Sequence, residues 1–249
     1  MKKILLESPV YTLEAALLAA ENGVDRLELC ADFGEGGTTP SLGLLKEIKS
    51  KVDVPVFVMI RPRGGDFIYN DLEISVMKED IKSFLSHGAD GFVFGILNKE
   101  GEVNKTACQQ LISSAGEKPC TFHRAFDVLE DKKGALEQII QLGFKRILTS
   151  GGENSVMEGL PLILELLMQA NSRIIILPGG GLMLQDIADL NMTGLLKEIH
   201  TSCKQFRPSS MPQGINEHLR LSQMEEIEGK VLTIDPQIMA ALVGYLNNL

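Results

Sequence analysis

The chain has 249 residues, 44% of them apolar, and a formal net charge of −9, which suits one ordinary globular domain with a substantial core. The charge is spread without a basic cluster, arguing against binding to nucleic acid or to an anionic membrane surface. No apolar run approaches the ~20 residues that cross a bilayer, and the opening MKKILLESPVY lacks the long apolar core and small-residue cleavage site of a secretion signal, so a cytoplasmic protein is expected.

KKILLE at the start of the chain is the first predicted strand. A glycine, a short linker and an apolar strand then recur in NGVDRLELC, HGADGFVFG, LGFKRILTS and TGLLKEIHT, at Gly23, Gly88, Gly143 and Gly194. Each reads as a helix C-cap followed by a strand. The intervals between these glycines are 65, 55 and 51 residues, room for two helices and two strands each. The additional strands are VPVFVMIRPR at 54–63, KPCTFHRAF at 118–126 and RIIILPGGG at 173–181. Eight strands, each followed by helical sequence, predict a TIM-type (β/α)8 barrel, a single domain over residues 1–249.

Between the strands the helix signals are local. Pro40 after Thr39 reads as a first-turn proline of a helix running through LGLLKEIKS. The stretch 71–88 places Leu72, Val76, Ile81 and Leu85 near one face and ends on Gly88, and 131–143 ends on Gly143 in the same manner. Pro161 reads as a loop or half-turn ahead of the next helix. Residues 201–232, with turn-rich FRPSSMPQG, form an irregular tail before a terminal helix over about 236–248. Such a tail closes the barrel or packs on a second subunit of a homo-oligomer.

In a TIM barrel, binding and catalytic groups gather where strands end and the following loops begin. Alternation of side chains along a strand sorts the candidates there. Val56, Val58, Ile60, Cys120 and Phe122 form an apolar face that belongs against the helices, so Met59, Arg61, Thr121 and His123 point inward. Leu27 and Leu29 likewise leave Glu28 and Cys30 inside, and Glu7 follows by the same alternation. His200 joins them if the last strand keeps its register. Glu7, Glu28, Arg61, His123 and His200 are therefore the candidate catalytic set. Two carboxylates, a guanidinium and imidazoles converging in a partly dry space suit proton transfer, or else a salt-bridge network filling the barrel.

Three loops supply candidate ligand contacts. RPRGGDF at 61–67 sets Arg63 and two glycines beside Arg61, an anion clamp or a solvated turn. LPGGG places Gly179, Gly180 and Gly181 after the seventh strand, where barrels often hold phosphate on backbone N–H groups. Arg124 and Ser202 stand at the ends of two further strands, and EGGTTPS at 35–41 is a lid or a long turn. The four cysteines, Cys30, Cys108, Cys120 and Cys203, show no CxxC spacing and read as free thiols.

EGGTTPSLGLLK, VMIRPRGGDFIYNDLEISVMKEDI, GADGFVFGIL, TFHRAFD, RILTSGG and RIIILPGGG together resemble the CutC family over roughly residues 4–204. The resemblance implies a TIM-type barrel and a role in copper homeostasis, with Cu(I) as the bound ion. Cu(I) prefers thiolate and thioether sulfur, and Cys30 and Met59 are the inward sulfur-bearing residues, on neighbouring strands, with His123 as a third donor. In HTSCK at 200–204, Cys203 and Lys204 stand where the family often has an alanine and an arginine, which weakens the case for a forked anion contact from that loop. Two functions follow as expectations: a copper-binding protein using Cys30, or a barrel enzyme performing acid/base chemistry on a small anionic, perhaps phosphorylated, metabolite, with Glu28 or Glu7 as base, His123 as acid and Arg61 as anion anchor.

Overall fold

Strands of a parallel barrel are covered on both faces, so they need short runs that are buried throughout. The computed structural model describes residues 4–211 and 228–249, and nearly every strand residue of its eight-stranded sheet is buried. The chain alternates β1 (Leu5–Val10), α1 (Leu13–Glu21), β2 (Arg26–Leu29), α2 (Leu42–Lys49), β3 (Val56–Met59), α3 (Asp71–Ser86), β4 (Gly91–Phe94) and α4 (Lys105–Ala115). It continues with β5 (Cys120–Phe122), α5 (Lys132–Leu142), β6 (Arg146–Thr149), α6 (Leu160–Ala170), β7 (Ile175–Pro178), α7 (Ile187–Leu190) and β8 (Glu198–His200). Every neighbouring pair from β8 through β1 to β7 is hydrogen-bonded, and a parallel bridge between Gly179 and His200 brings the two ends together. This is the expected (β/α)8 barrel.

The repeating glycines have the backbone that the sequence reading required. Gly23, Gly88, Gly143 and Gly194 have φ of 86°, 87°, 92° and 66°, the left-handed conformation that ends a helix without a Cβ clash. Helix starts are equally local: Thr12, Ser41, Asn70, Asn104, Asp131 and Asp235 each accept a backbone N–H of the first turn.

Four expectations need adjustment. The cap of α2 is Ser41, so Pro40 precedes the helix instead of opening it. In α3 the buried stripe is Ile74, Met77, Ile81 and Phe84, while Leu72 and Val76 face outward; the 3-4-3 spacing of the first set is the better match to helical period. Pro161 lies in the first turn of α6, where its missing N–H costs no helical bond. Lys204–Pro208, expected within an irregular tail, form β9, which pairs antiparallel with β10 (Lys230–Ile234). The turn-rich stretch beyond residue 211 lies outside the described residues. After the hairpin comes α8 (Pro236–Asn247), which buries Met239, Leu242 and Leu246.

Inside the barrel the lowest layer is charged. Alternate strands β2, β6 and β8 meet there through Arg26, Arg146 and Glu198. The Phe57 ring lies between the two guanidiniums, 4.8 Å from Arg26 Cζ and 5.2 Å from Arg146 Cζ. On β4 the layer has Gly91, because a Cβ at that position would sit 2.6 Å from the Phe57 ring. The outer faces of the strands carry the apolar cluster against the helices, including Leu27, Leu29, Val56, Val58, Ile60, Cys120 and Phe122 as alternation predicted. Cys30, Phe57, Met59 and Val93 form a separate inner cluster.

Candidate active site at the barrel mouth

A buried charge persists only when it is paired, and the barrel pairs its charges in a ladder rising toward the mouth. Arg26 donates from Nη2 to Glu198 and from Nε to Glu7 Oε2 at 2.5 Å. Glu7 Oε1 in turn holds His200 Nδ1 at 2.8 Å. Burial alone would raise the Glu7 pKa, but Arg26 and His200 outweigh it and hold the carboxyl at about 2. Glu7 is thus a fixed anion that positions the imidazole, leaving His200 Nε2 directed at Glu28 Oε2, 3.9 Å away.

Glu28 is the inverse case. It is 3% exposed, its Oε1 has no hydrogen-bond partner, and the contact to Oε2 from the Cys30 thiol is 3.6 Å. Burial raises its pKa to about 7, with His200 opposing and Glu7 adding to the rise. For His200, burial works against protonation, yet the carboxylates of Glu28 and Glu7 raise the pKa above its ordinary value. The two groups are coupled: a charged His200 favours the Glu28 carboxylate, and that carboxylate favours the imidazolium.

His123 ends β5 and caps the short 3-10 turn Arg124–Val128, its Nδ1 accepting Ala125 N–H at 3.2 Å. The ring proton therefore sits on Nε2, which is buried and has no partner. Burial first, and the Arg61 charge second, depress its pKa to about 3. As a neutral donor it is suited to polarising an oxygen. Gly95 makes room for the ring, since a Cβ there would lie 2.7 Å from Nδ1.

Glu28, Met59, Arg61, His123, Arg124, Gly179, Gly180, Gly181, His200 and Ser202 all line one cavity of about 1050 Å³ at the mouth. Glu7 and Cys30 are buried beside it. Arg63 is not part of its wall; it clasps Glu73 at 2.6 Å and Asp66 at 2.9 Å on the loop after β3. Arg61 is itself largely engaged: Nη1 donates to the carbonyls of Glu35, at 2.5 Å, and Gly37, at 3.0 Å, and Nη2 to that of Gly65 at 3.3 Å. These bonds pin the 35–41 loop to the loop after β3. Arg124 is likewise clamped, to Asp127 at 2.7 Å and Ser150 Oγ at 2.6 Å.

Two donor sets could approach a metal. Glu7, Glu28 and His200 offer ligand atoms within 4.8 Å of one another, although both Glu7 oxygens already have partners. The soft set is Cys30 and Met59, whose Sγ and Cε approach the open side of Gly37 to 3.3 and 3.6 Å of where a Cβ would stand. The other three cysteines, also buried and free, belong to the outer cluster. Burial, then the Glu28 carboxylate, push the Cys30 thiol well above its ordinary range. One thiol and one thioether are a sparse soft set for Cu(I), and the Glu28 carboxylate is a hard neighbour.

Sequence reading passed over Arg26, Arg146 and Glu198, the residues that anchor the ladder. Attention to strand ends alone hid them, because all three sit at strand starts. Continuing the alternation two residues down from Glu28 would have found Arg26.

A (β/α)8 barrel with carboxylate, imidazole and guanidinium groups gathered at the C-terminal ends of its strands defines the class. Residues 4–205 match the CutC family, and the chain belongs to it. It is 49% identical over 212 residues to the human copper homeostasis protein cutC homolog, covering 83% of this chain and 76% of that one. It is 38% identical over 237 residues to a family protein CutC of Histophilus somni (strain 2336), covering 95% and 97%. Among solved structures, CutC from Streptococcus agalactiae superposes with a TM-score of 0.74 at 37% identity, covering 79% of this chain and 97% of that one. The aldolase QR15 shares the fold, with a TM-score of 0.60 at 18% identity.

The pKa shifts have opposite signs for stability. His123, depressed to about 3, contributes stability that is present above pH 6.5 and is lost as pH falls toward 3. Glu28, raised to about 7, contributes stability that is present below pH 4.5 and is lost as pH rises through 7. Between pH 4.5 and 6.5 the two therefore offset each other. Urea unfolding across that window is expected to show stability rising on acidification in His123→Gln and falling in Glu28→Gln, relative to wild type. Parallel profiles for the two variants would contradict the assignment.

Proposed function

We propose that the barrel mouth is an active site for acid/base chemistry on a small anionic metabolite. The observation carrying this reading is the Glu28–His200 pair: a buried carboxyl with an unpartnered Oε1, 3.9 Å from an imidazole that Glu7 holds in place. Glu28 takes or returns the substrate proton, His200 serves as its proton partner, and His123 Nε2–H supports charge developing on a substrate oxygen. This assigns Glu7 to positioning and moves His123 from acid to electrophile. Four unpaired cysteines and a chain in which no described helix is long and apolar enough to cross a membrane agree with a cytoplasmic setting. A mixture of small anionic metabolites incubated in D2O with wild type should lose a C–H proton resonance. Glu28→Gln should slow that loss by about 10²–10⁴-fold; an unchanged rate would exclude Glu28 as the base.

A second reading, Cu(I) binding, draws on the name of the human relative and on one local feature, the approach of Cys30 and Met59 beneath Gly37. Their poor fit to Cu(I) places this reading behind the first. It expects Cu(I) affinity, measured against a competing chelator, to drop in Cys30→Ser and to hold in Cys108→Ser, whose thiol belongs to the outer apolar cluster. Equal affinities in the two variants would remove it.

A further inference from the structure

Three buried polar atoms at the mouth have no partner among the described residues: His123 Nε2, Arg61 Nε and Glu28 Oε1. Native proteins rarely leave such atoms unsatisfied, so together they outline a missing ligand. The first two are pure donors. His123 carries its proton on Nε2 because Nδ1 accepts from Ala125, and Arg61 keeps its Nε–H, along with the second N–H of Nη2, after the loop carbonyls take both hydrogens of Nη1 and one of Nη2. Both groups rest on the Phe67 ring, with Arg61 Cζ 5.0 Å and the His123 ring centre 4.9 Å from its centroid. They face a ligand end that only accepts. Glu28 Oε1 calls for a hydroxyl next to it.

One backbone cradle beside the mouth is closed to a phosphoryl group. The backbone cradle after β6 is already filled by an anion of the protein itself: the Asp127 carboxylate accepts from Ser150 N at 3.2 Å, from Gly152 N at 3.1 Å and from the Thr149 hydroxyl. Arg124, the cation beside that cradle, is bonded to the same carboxylate. The planar guanidinium of Arg61, beside the imidazole on the same Phe67 ring, suits the planar pair of oxygens of a carboxylate.

We infer that the mouth takes a small 2-hydroxycarboxylate, its carboxylate on His123 Nε2–H and Arg61 Nε–H and its C2 hydroxyl on Glu28 Oε1. This deepens the acid/base reading and rests on it for any turnover, but binding stands by itself. The probes are glycolate, both enantiomers of lactate and of malate, acetate as the acid without a hydroxyl, and glycerol 3-phosphate as the phosphate ester. Calorimetric titration and melting shifts are expected to show the hydroxy acids binding more tightly than acetate and glycerol 3-phosphate. His123→Gln, and separately His123→Phe, should weaken hydroxy-acid binding by about tenfold or more, the loss of one hydrogen bond to a charged group. Glu28→Gln should narrow the preference over acetate. Tighter binding of glycerol 3-phosphate, no binding of any hydroxy acid, or affinity unchanged in both His123 variants would overturn the assignment. Hydroxy-acid binding without C2–H exchange in D2O would uphold the ligand class and remove the proton-transfer reading; exchange confined to a phosphate ester would do the reverse.

Discussion

The carboxylate of Glu7 is the pivot of the molecule. One oxygen holds Arg26 and the other holds His200, so a single buried anion ties the charged floor of the barrel to its reactive rim. Its pKa stays low only because both partners are present. Remove Arg26 and an uncompensated carboxylate remains in the barrel, a change that typically costs about 3–5 kcal/mol. Remove Glu7 and the imidazole loses its orientation toward Glu28. Packing and chemistry therefore share one interaction, and the same pairing that makes a charged barrel interior tolerable also tunes the residues above it.

Around this ladder, charged side chains divide between architecture and function. Arg63 and Arg124 are closed in local clasps with Glu73, Asp66, Asp127 and Ser150, and most of Arg61 joins two loops. Arginine is well suited to such work because its planar fork can bond several carbonyls at once. Among the described residues, the buried atoms left without a partner at the mouth are few: Arg61 Nε, His123 Nε2 and Glu28 Oε1. That sparseness makes the site more informative than a general positive patch, since few ligands match so short a set of atoms.

Much of the scaffold was legible because its signals are local. The glycines at Gly23, Gly88, Gly143 and Gly194 mark left-handed helix ends, and two-residue alternation correctly turned Leu27, Leu29, Val56, Val58 and Phe122 outward. The same alternation brought Glu28, Arg61 and His123 to one cavity. Features decided by distant contacts were harder to read. His200 faces inward because β8 pairs with β1 in the register Glu7 to His200, across 193 residues of chain. The β9–β10 hairpin joins two segments that only the folded chain brings together. The role of His123 turned on its tautomer, which depends on the backbone N–H of Ala125 and has no sequence signature.

The ladder leaves two histidines in opposite states: His200 raised by its carboxylates and His123 held neutral with its proton on Nε2. Imidazole ¹⁵N shifts measured against pH test this most directly, with the four histidines of the chain assigned by single His→Gln variants. His200 should titrate above the ordinary histidine value of about 6.5, and lose part of that elevation in Glu7→Gln, while His123 should keep an unprotonated Nδ1 and a protonated Nε2 down to about pH 4. A His123 that titrates near 6.5, or a His200 that titrates below it in the wild type, would contradict the account.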